Sequence, residues 1–188
     1  HSIRKLHEEK IQIHGMFVFG SDEDDRETLR ETVSFAKKLD IDSVQFMILT
    51  PLPGSQTYET YKKESRILTY DWNLYDAHHV VYTPKKMTPF ELQKETFKAM
   101  NKFYSWVQIL KRVWARDAYN VVIKTYAKNI ISKWKKDNRS YMKDMKSGVP
   151  YQSEDEKHLF PFSIRSKLKT IGIPGASLHL GSREFLKS

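Results

Sequence analysis

The stretch IQIHGMFVFGSDEDDRETLRETVSFAKKLDIDSVQFMILTPLPG, residues 11–54, constrains the fold more than any other part of the chain. Two apolar runs of strand length, 11–19 and 43–49, flank one helical pattern. Met16-Phe17-Val18-Phe19 is unbroken, which suits a strand buried on both faces. Between the runs, Leu29, Val33, Ala36 and Leu39 recur at helical spacing and predict a buried stripe on a helix over 25–39. Acids crowd its start and Lys37-Lys38 its end, as the helix dipole favours. Strand, helix, strand in so short a span is a βαβ unit, with parallel strands and a right-handed crossover. Two strands cannot bury both faces alone. The unit therefore belongs to a larger sheet or barrel, or the chain supplies only part of one.

Beyond the unit, Pro51, Pro53 and Gly54 predict an irregular loop, followed by a short helix over 56–65 and an extended segment at 79–82. Thr88, Pro89 and Glu91 make a capping box at a helix start. Phe97, Met100, Tyr104, Val107, Leu110 and Trp114 continue at three- and four-residue spacing, as one long helix would. A second helix is expected from Asp117, carrying Val121, Val122, Ile123, Tyr126, Ile130, Ile131 and Trp134. The two should pack as a pair or against the βαβ layer. After 146 no period is evident, and a loosely ordered tail is expected. The domain reading is 1–86 for the βαβ part, 87–146 for a basic helical extension and 147–188 for linker and tail.

No cysteine occurs among the 188 residues, which removes disulfides, thiolate metal sites and cysteine nucleophiles within the chain. The net charge of +9 is uneven: residues 1–88 hold 12 Lys+Arg against 14 Asp+Glu, and residues 89–188 hold 20 against 9. That asymmetry suits two modules, the second facing an acidic partner or an anionic membrane, or simply solvent. No apolar run reaches the length of a membrane span, and the start lacks a signal-peptide pattern. A cytoplasmic setting is expected, with membrane association left open.

Several constellations have a bland reading that fits better than the sharp one. His78-His79 with Asp71 and Asp76 lacks metal-ligand spacing and reads as a loop. Asp22, Glu23, Asp24, Asp25 and Glu27 could hold Mg²⁺ but read as helix-start chemistry. GMFVFG is not a phosphate loop. Trp106, Trp114, Trp134, Tyr119 and Tyr126 among many lysines could meet RNA or a membrane surface, yet a helical stripe is more often core, and core is the expectation.

Three phrases, GMFVFGSDEDDRETLRETVSFAKKLDIDSVQFMILTPLPGSQTYE, RILTYDWNLYDAHHVVYTP and KKMTPFELQ, together resemble the C-terminal part of radical S-adenosylmethionine proteins with a cobalamin-binding domain. The resemblance spans about residues 3–93. It implies an α/β fold: the C-terminal part of a partial (β/α)6 TIM-like barrel, with 11–19 and 43–49 as its last two strands, followed by a helical extension. It also implies that S-adenosylmethionine lies across the strand ends. Phe17, Val18, Phe19 and Gly20 would contact the adenosyl moiety, and Leu49, Thr50, Pro51 and Leu52 would hold the adenine. The family's CxxxCxxC motif and cobalamin domain are not in this chain. The 4Fe–4S cluster and cobalamin are expected from a missing N-terminal part, the whole enzyme being a cobalamin-dependent methyltransferase or an oxidoreductase in this resemblance, and the chain alone is not expected to be active. The N-terminal half of the same polypeptide is the expected partner, with a small-molecule or lipid substrate and peripheral membrane contact open. Nucleic acid is disfavoured. A degenerate, non-catalytic module whose basic helices engage an acidic partner or membrane is the alternative.

Overall fold

The computed structural model describes residues 2–148. The tail expected from 147 onward lies, from 149, outside the described residues. In chain order the elements are α1 Ser2–Glu8, β1 His14–Phe19, α2 Arg26–Lys38, β2 Ser43–Ile48, α3 Gln56–Lys63, a 3-10 turn Trp72–Leu74, α4 Pro89–Phe103, α5 Trp106–Trp114, α6 Ala118–Asp137 and α7 Arg139–Lys146.

Local chemistry sets the βαβ unit. Asp25 caps α2 by accepting from the backbone N–H groups of Glu27 (2.8 Å) and Thr28 (2.9 Å). Leu29, Val33 and Ala36 form its buried stripe. At the far end Asp40 takes the left-handed conformation at φ 56°, and the Ile41 N–H returns to the Ala36 carbonyl, which closes the helix and aims the chain into β2. β1 and β2 pair in parallel, His14 opposite Ser43 through Phe19 opposite Ile48.

The expected partial barrel is corrected here. The described residues form a two-stranded sheet that does not close. One face is core: Phe19 stacks on Phe46 at 5.1 Å, and Phe46 meets the edge of Phe103 at 6.3 Å. α4 packs on β2 and on α2, bringing Leu92, Ala99 and Phe103 into that core. The other face is open. Met16 is 61% exposed and Val18 53%, so β1 is covered on one side only, not on both. The strand's alternation is real, but nothing in the described residues covers its outer apolar positions.

The expected single helix through Trp114 breaks at Tyr104. The Tyr104 hydroxyl donates to the Val44 carbonyl (2.6 Å) and accepts from the Val44 N–H (2.8 Å). That tether to the sheet ends α4, and α5 begins after Ser105. The expected core stripe is corrected too. Phe97, Met100, Tyr104, Ile131 and the half-buried Trp134 reach the core as expected, whereas Val107, Leu110, Trp114, Val122, Tyr126 and Ile130, with Trp106, are exposed, and α5 buries Ile109 instead. α6 buries polar residues in their place. Lys124, 3% exposed, donates to the Asp42 carbonyl (2.8 Å) and lies 4.4 Å from the Phe103 ring centre. Asn120 donates to the carboxylates of Asp42 (2.9 Å) and Asp117 (2.8 Å). Asp42 also accepts from the Ile13 N–H (2.8 Å) and meets His7 Nε2 (2.9 Å). These bonds clasp α1, the start of β1 and α6 to the entry of β2.

Burial pushes the Lys124 ammonium down to about 8. Its pKa is therefore lower folded than unfolded. Between pH 8 and the ordinary lysine value the unfolded chain holds a proton that the folded chain has shed, so stability rises with pH there. Above about pH 10 the raised pKa values of the buried Tyr82 and Tyr104 reverse the slope, because only the unfolded chain then loses phenolic protons. Urea midpoints measured from pH 7 to 10 should climb in the wild type by on the order of 2 kcal/mol, and Lys124→Met should flatten the climb. Parallel slopes for the two proteins would refute the assignment.

Candidate functional site

The ends of β1 and β2 lie side by side, joined by the Leu49 N–H donating to the Phe19 carbonyl at 2.8 Å. β1 finishes in Gly20 at φ +99°. Its N–H donates to Asp24 (2.8 Å), as does that of Ser21 (3.0 Å), and its carbonyl accepts from the Tyr82 hydroxyl. β2 runs into a loop in which the Thr50 hydroxyl folds back on the Ile48 carbonyl (3.1 Å), Pro51 is buried and Leu52 is exposed. Ser55 then caps α3, accepting from the Tyr58 N–H at 3.2 Å.

The residues expected at the cofactor divide by side-chain direction. Phe17 and Phe19 turn to the core face against Phe46, and Gly20 and Pro51 are enclosed. Val18 and Leu52 face outward, with Leu49 and Thr50 half-buried between. The backbone polar groups of Gly20 are spent within the fold, so the strand end offers a ligand side chains more than Gly20 hydrogen bonds. Met16 and Met47, outside the expected set, share the open side with Val18: Met16 is exposed and Met47 half-buried. The surface at the strand ends is thus apolar and open.

Beneath it sits a network with no sequence signal of its own. Arg66 donates to Asp22 (2.5 Å), Glu64 (3.0 Å) and the Thr83 carbonyl (2.7 Å), with its guanidinium 3.9 Å from the Tyr61 ring centre. Lys85 reaches the other Asp22 oxygen at 2.8 Å. The hydrogen bond from Arg66, opposed by burial and aided by Lys85, lowers the Asp22 carboxyl to about 2. Burial raises the Tyr61 and Tyr82 hydroxyls, whose rings stack at 5.0 Å. Loop 20–25 is therefore held from several sides, and the acid run has work within the fold: Asp22 and Glu23 pair with cations, while Asp24 and Asp25 accept backbone N–H groups.

His79 is held internally as well, between Asp76 (2.9 Å) and Asn138 (2.8 Å), with its ring against Trp134 and Tyr141. Among the described residues no group of three or more His, Asp or Glu is placed to hold a metal ion. A shallow charged groove on the outer side of α2, lined by Arg26, Arg30, Lys86 and Glu91 among others, includes none of the expected cofactor residues.

The chain is similar to named methyltransferases. It is 33% identical over 111 residues to bacteriochlorophyllide d C-12(1)-methyltransferase of Chlorobaculum tepidum, covering 59% of this chain and 24% of that protein. It is 35% identical over 102 residues to bacteriochlorophyllide d C-8(2)-methyltransferase of the same organism, covering 54% and 23%. An uncharacterized methyltransferase of Pyrococcus horikoshii is 36% identical over 103 residues, covering 54% and 22%. The chain spans under a quarter of the length of these curated relatives. No family model matches it. The expectation of a radical enzyme with a 4Fe–4S cluster and cobalamin is corrected on these findings. The relatives are named for methyl transfer, and the chain itself has no cysteine.

Proposed function

We propose that this chain is part of a methyltransferase and that the ends of β1 and β2 help to hold its methyl donor, S-adenosylmethionine. The observation that carries the reading is the similarity to three named methyltransferases, each matched over more than half of this chain. The geometry suits it. Ligands of open α/β sheets sit outside the carboxyl ends of the strands, and here those ends present Val18, Leu49, Thr50 and Leu52 above the fixed 20–25 loop. An apolar shelf beside a strand end suits the flat adenine base. Phe17, Phe19, Gly20 and Pro51 support that shelf from below. In this reading the cofactor supplies the electrophilic methyl group, and this chain's residues bind and orient it. Further segments of the same polypeptide cover the open side of the sheet.

The test is a calorimetric titration of S-adenosylmethionine into the longer polypeptide of which the chain is proposed to be a part. Val18→Asp and Leu52→Asp are the variants of choice, because both side chains are exposed. Each should weaken binding at least about tenfold, roughly 1.4 kcal/mol, with an unchanged melting midpoint. Wild-type affinity in both variants would remove the strand ends from the cofactor site. No binding by the folded wild type would overturn the reading.

A further inference from the structure

α5 and α6 keep large apolar side chains on their outer sides. The inward side of α6 holds Asn120 and Lys124 beside Ile131 and Trp134, while Val122, Tyr126 and Ile130 face outward. α5, WVQILKRVW, turns Ile109 inward and leaves Trp106, Leu110, Val113 and Trp114 in the open, Trp114 at 89%. Scattered exposed apolar side chains are ordinary, but a row of them on a short helix, two of them Trp, needs an occupant. Around this row the charge is strongly positive. Residues 106–146 carry 11 Lys+Arg against 3 Asp+Glu. Lys124 is buried, and Arg112 is taken by Asp40 and Asp117. Lys111, Lys133, Lys135 and Lys136 enter no ion pair among the described residues, and Lys128 rests over Trp106 at 5.5 Å.

We propose that the outward side of α5, with the adjoining basic surface of α6, docks on an anionic lipid bilayer. Each component fits that occupant. Trp settles at the level of the lipid headgroups, Leu and Val enter the acyl boundary, and lysines reach back to lipid phosphates. A second copy of the chain would set like charges against each other. A nucleic acid would use the aromatic rings and the lysines but leave Val107, Leu110 and Val113 without a function. Among the described residues no helix is long and apolar enough to cross a membrane, so the contact is peripheral.

The 188-residue chain is floated with vesicles of phosphatidylcholine alone and of phosphatidylcholine mixed with phosphatidylglycerol. It should rise with the mixed vesicles only, with tryptophan emission shifted to the blue and quenched by brominated acyl chains. Trp106→Ser and Trp114→Ser combined should remove most of the emission shift, and Leu110→Ser should weaken binding, with unaltered thermal melting in each case. Lys133→Glu and Lys136→Glu should each lower the affinity at least about fivefold. Equal flotation with neutral vesicles would overturn the proposal. So would binding to anionic vesicles without an emission shift, or capture by single-stranded RNA without capture by vesicles. None of these readouts depends on the methyl donor, so their failure would leave the proposed function standing.

Discussion

Replacing Gly20 by alanine should destabilise the fold by about 2–5 kcal/mol, the sum of left-handed strain of roughly 1–2 kcal/mol and overpacking of roughly 1–3 kcal/mol. A methyl group there would collide with the Tyr82 hydroxyl and sit 2.7 Å from Leu92 Cδ2, on a backbone at φ +99°. Both neighbours are fully buried, and the Tyr82 hydroxyl is tied to the Gly20 carbonyl itself, so neither can withdraw. Gly54 supplies the control. It has a comparable φ of +84° and open space around it, so Gly54→Ala meets the backbone cost alone. Urea midpoints of the two variants should separate widely. Equal midpoints would mean that Tyr82 and Leu92 do not close over Gly20. A Gly20 variant consequently reports on folding, which is why the exposed Val18 and Leu52 are the positions for probing the cofactor.

Arg66→Ala should cost about 3 kcal/mol at neutral pH, toward the lower end for breaking an enclosed ion pair, because Asp22 keeps Lys85. The loss has several parts. The Thr83 carbonyl loses its donor, Glu64 loses a partner, and the face of Tyr61 loses the guanidinium. The pH dependence identifies the pair. Asp22 titrates near 2 when folded and near 3.8 when unfolded, so its stabilisation is complete above 3.8 and disappears as pH falls through about 2. Wild type and Arg66→Ala should therefore converge in stability on acidification, by on the order of 2 kcal/mol. A constant gap between them from pH 5 to 2 would count against Arg66 as the cause of the low Asp22 pKa.

What could be read from the sequence was local. The Asp25 cap, the Leu29, Val33 and Ala36 stripe and the Thr88–Glu91 capping box are each written within a turn or two of chain, and each is present. The break at Tyr104 could not be read, because no Gly or Pro marks it. It is imposed by a hydroxyl reaching Val44, 60 residues away. Arg66 was silent for the same reason, its carboxylate lying 44 residues upstream. Periodicity also reports that a helix has an apolar side without saying which side meets the core. On α6 a buried lysine and asparagine share the inner side with Ile131 and Trp134, and the outer row of α5 and α6 has the same apolar period as a core stripe. The strand ends were legible as a place. Which side chains stay open there depended on the strand's alternation and on the tertiary cover over Phe17, Phe19 and Gly20.

The Tyr104 tether bears on how this sheet can be extended. Along a strand, successive residues turn their N–H and C=O alternately to either edge. Ser43 and Leu49 bond toward β1, so Val44 and Ile48 point the other way. There the Tyr104 hydroxyl occupies both polar groups of Val44, and the Ala77 carbonyl takes the Ile48 N–H. The β2 margin is thereby occupied at both its ends. On the opposite margin, the main-chain groups of His14, Met16 and Val18 have no hydrogen-bond partner among the described residues. A bare strand margin recruits another strand, and the β1 flank is the one left bare along its length. A strand joining this sheet is therefore expected against β1, with β2 as the border strand.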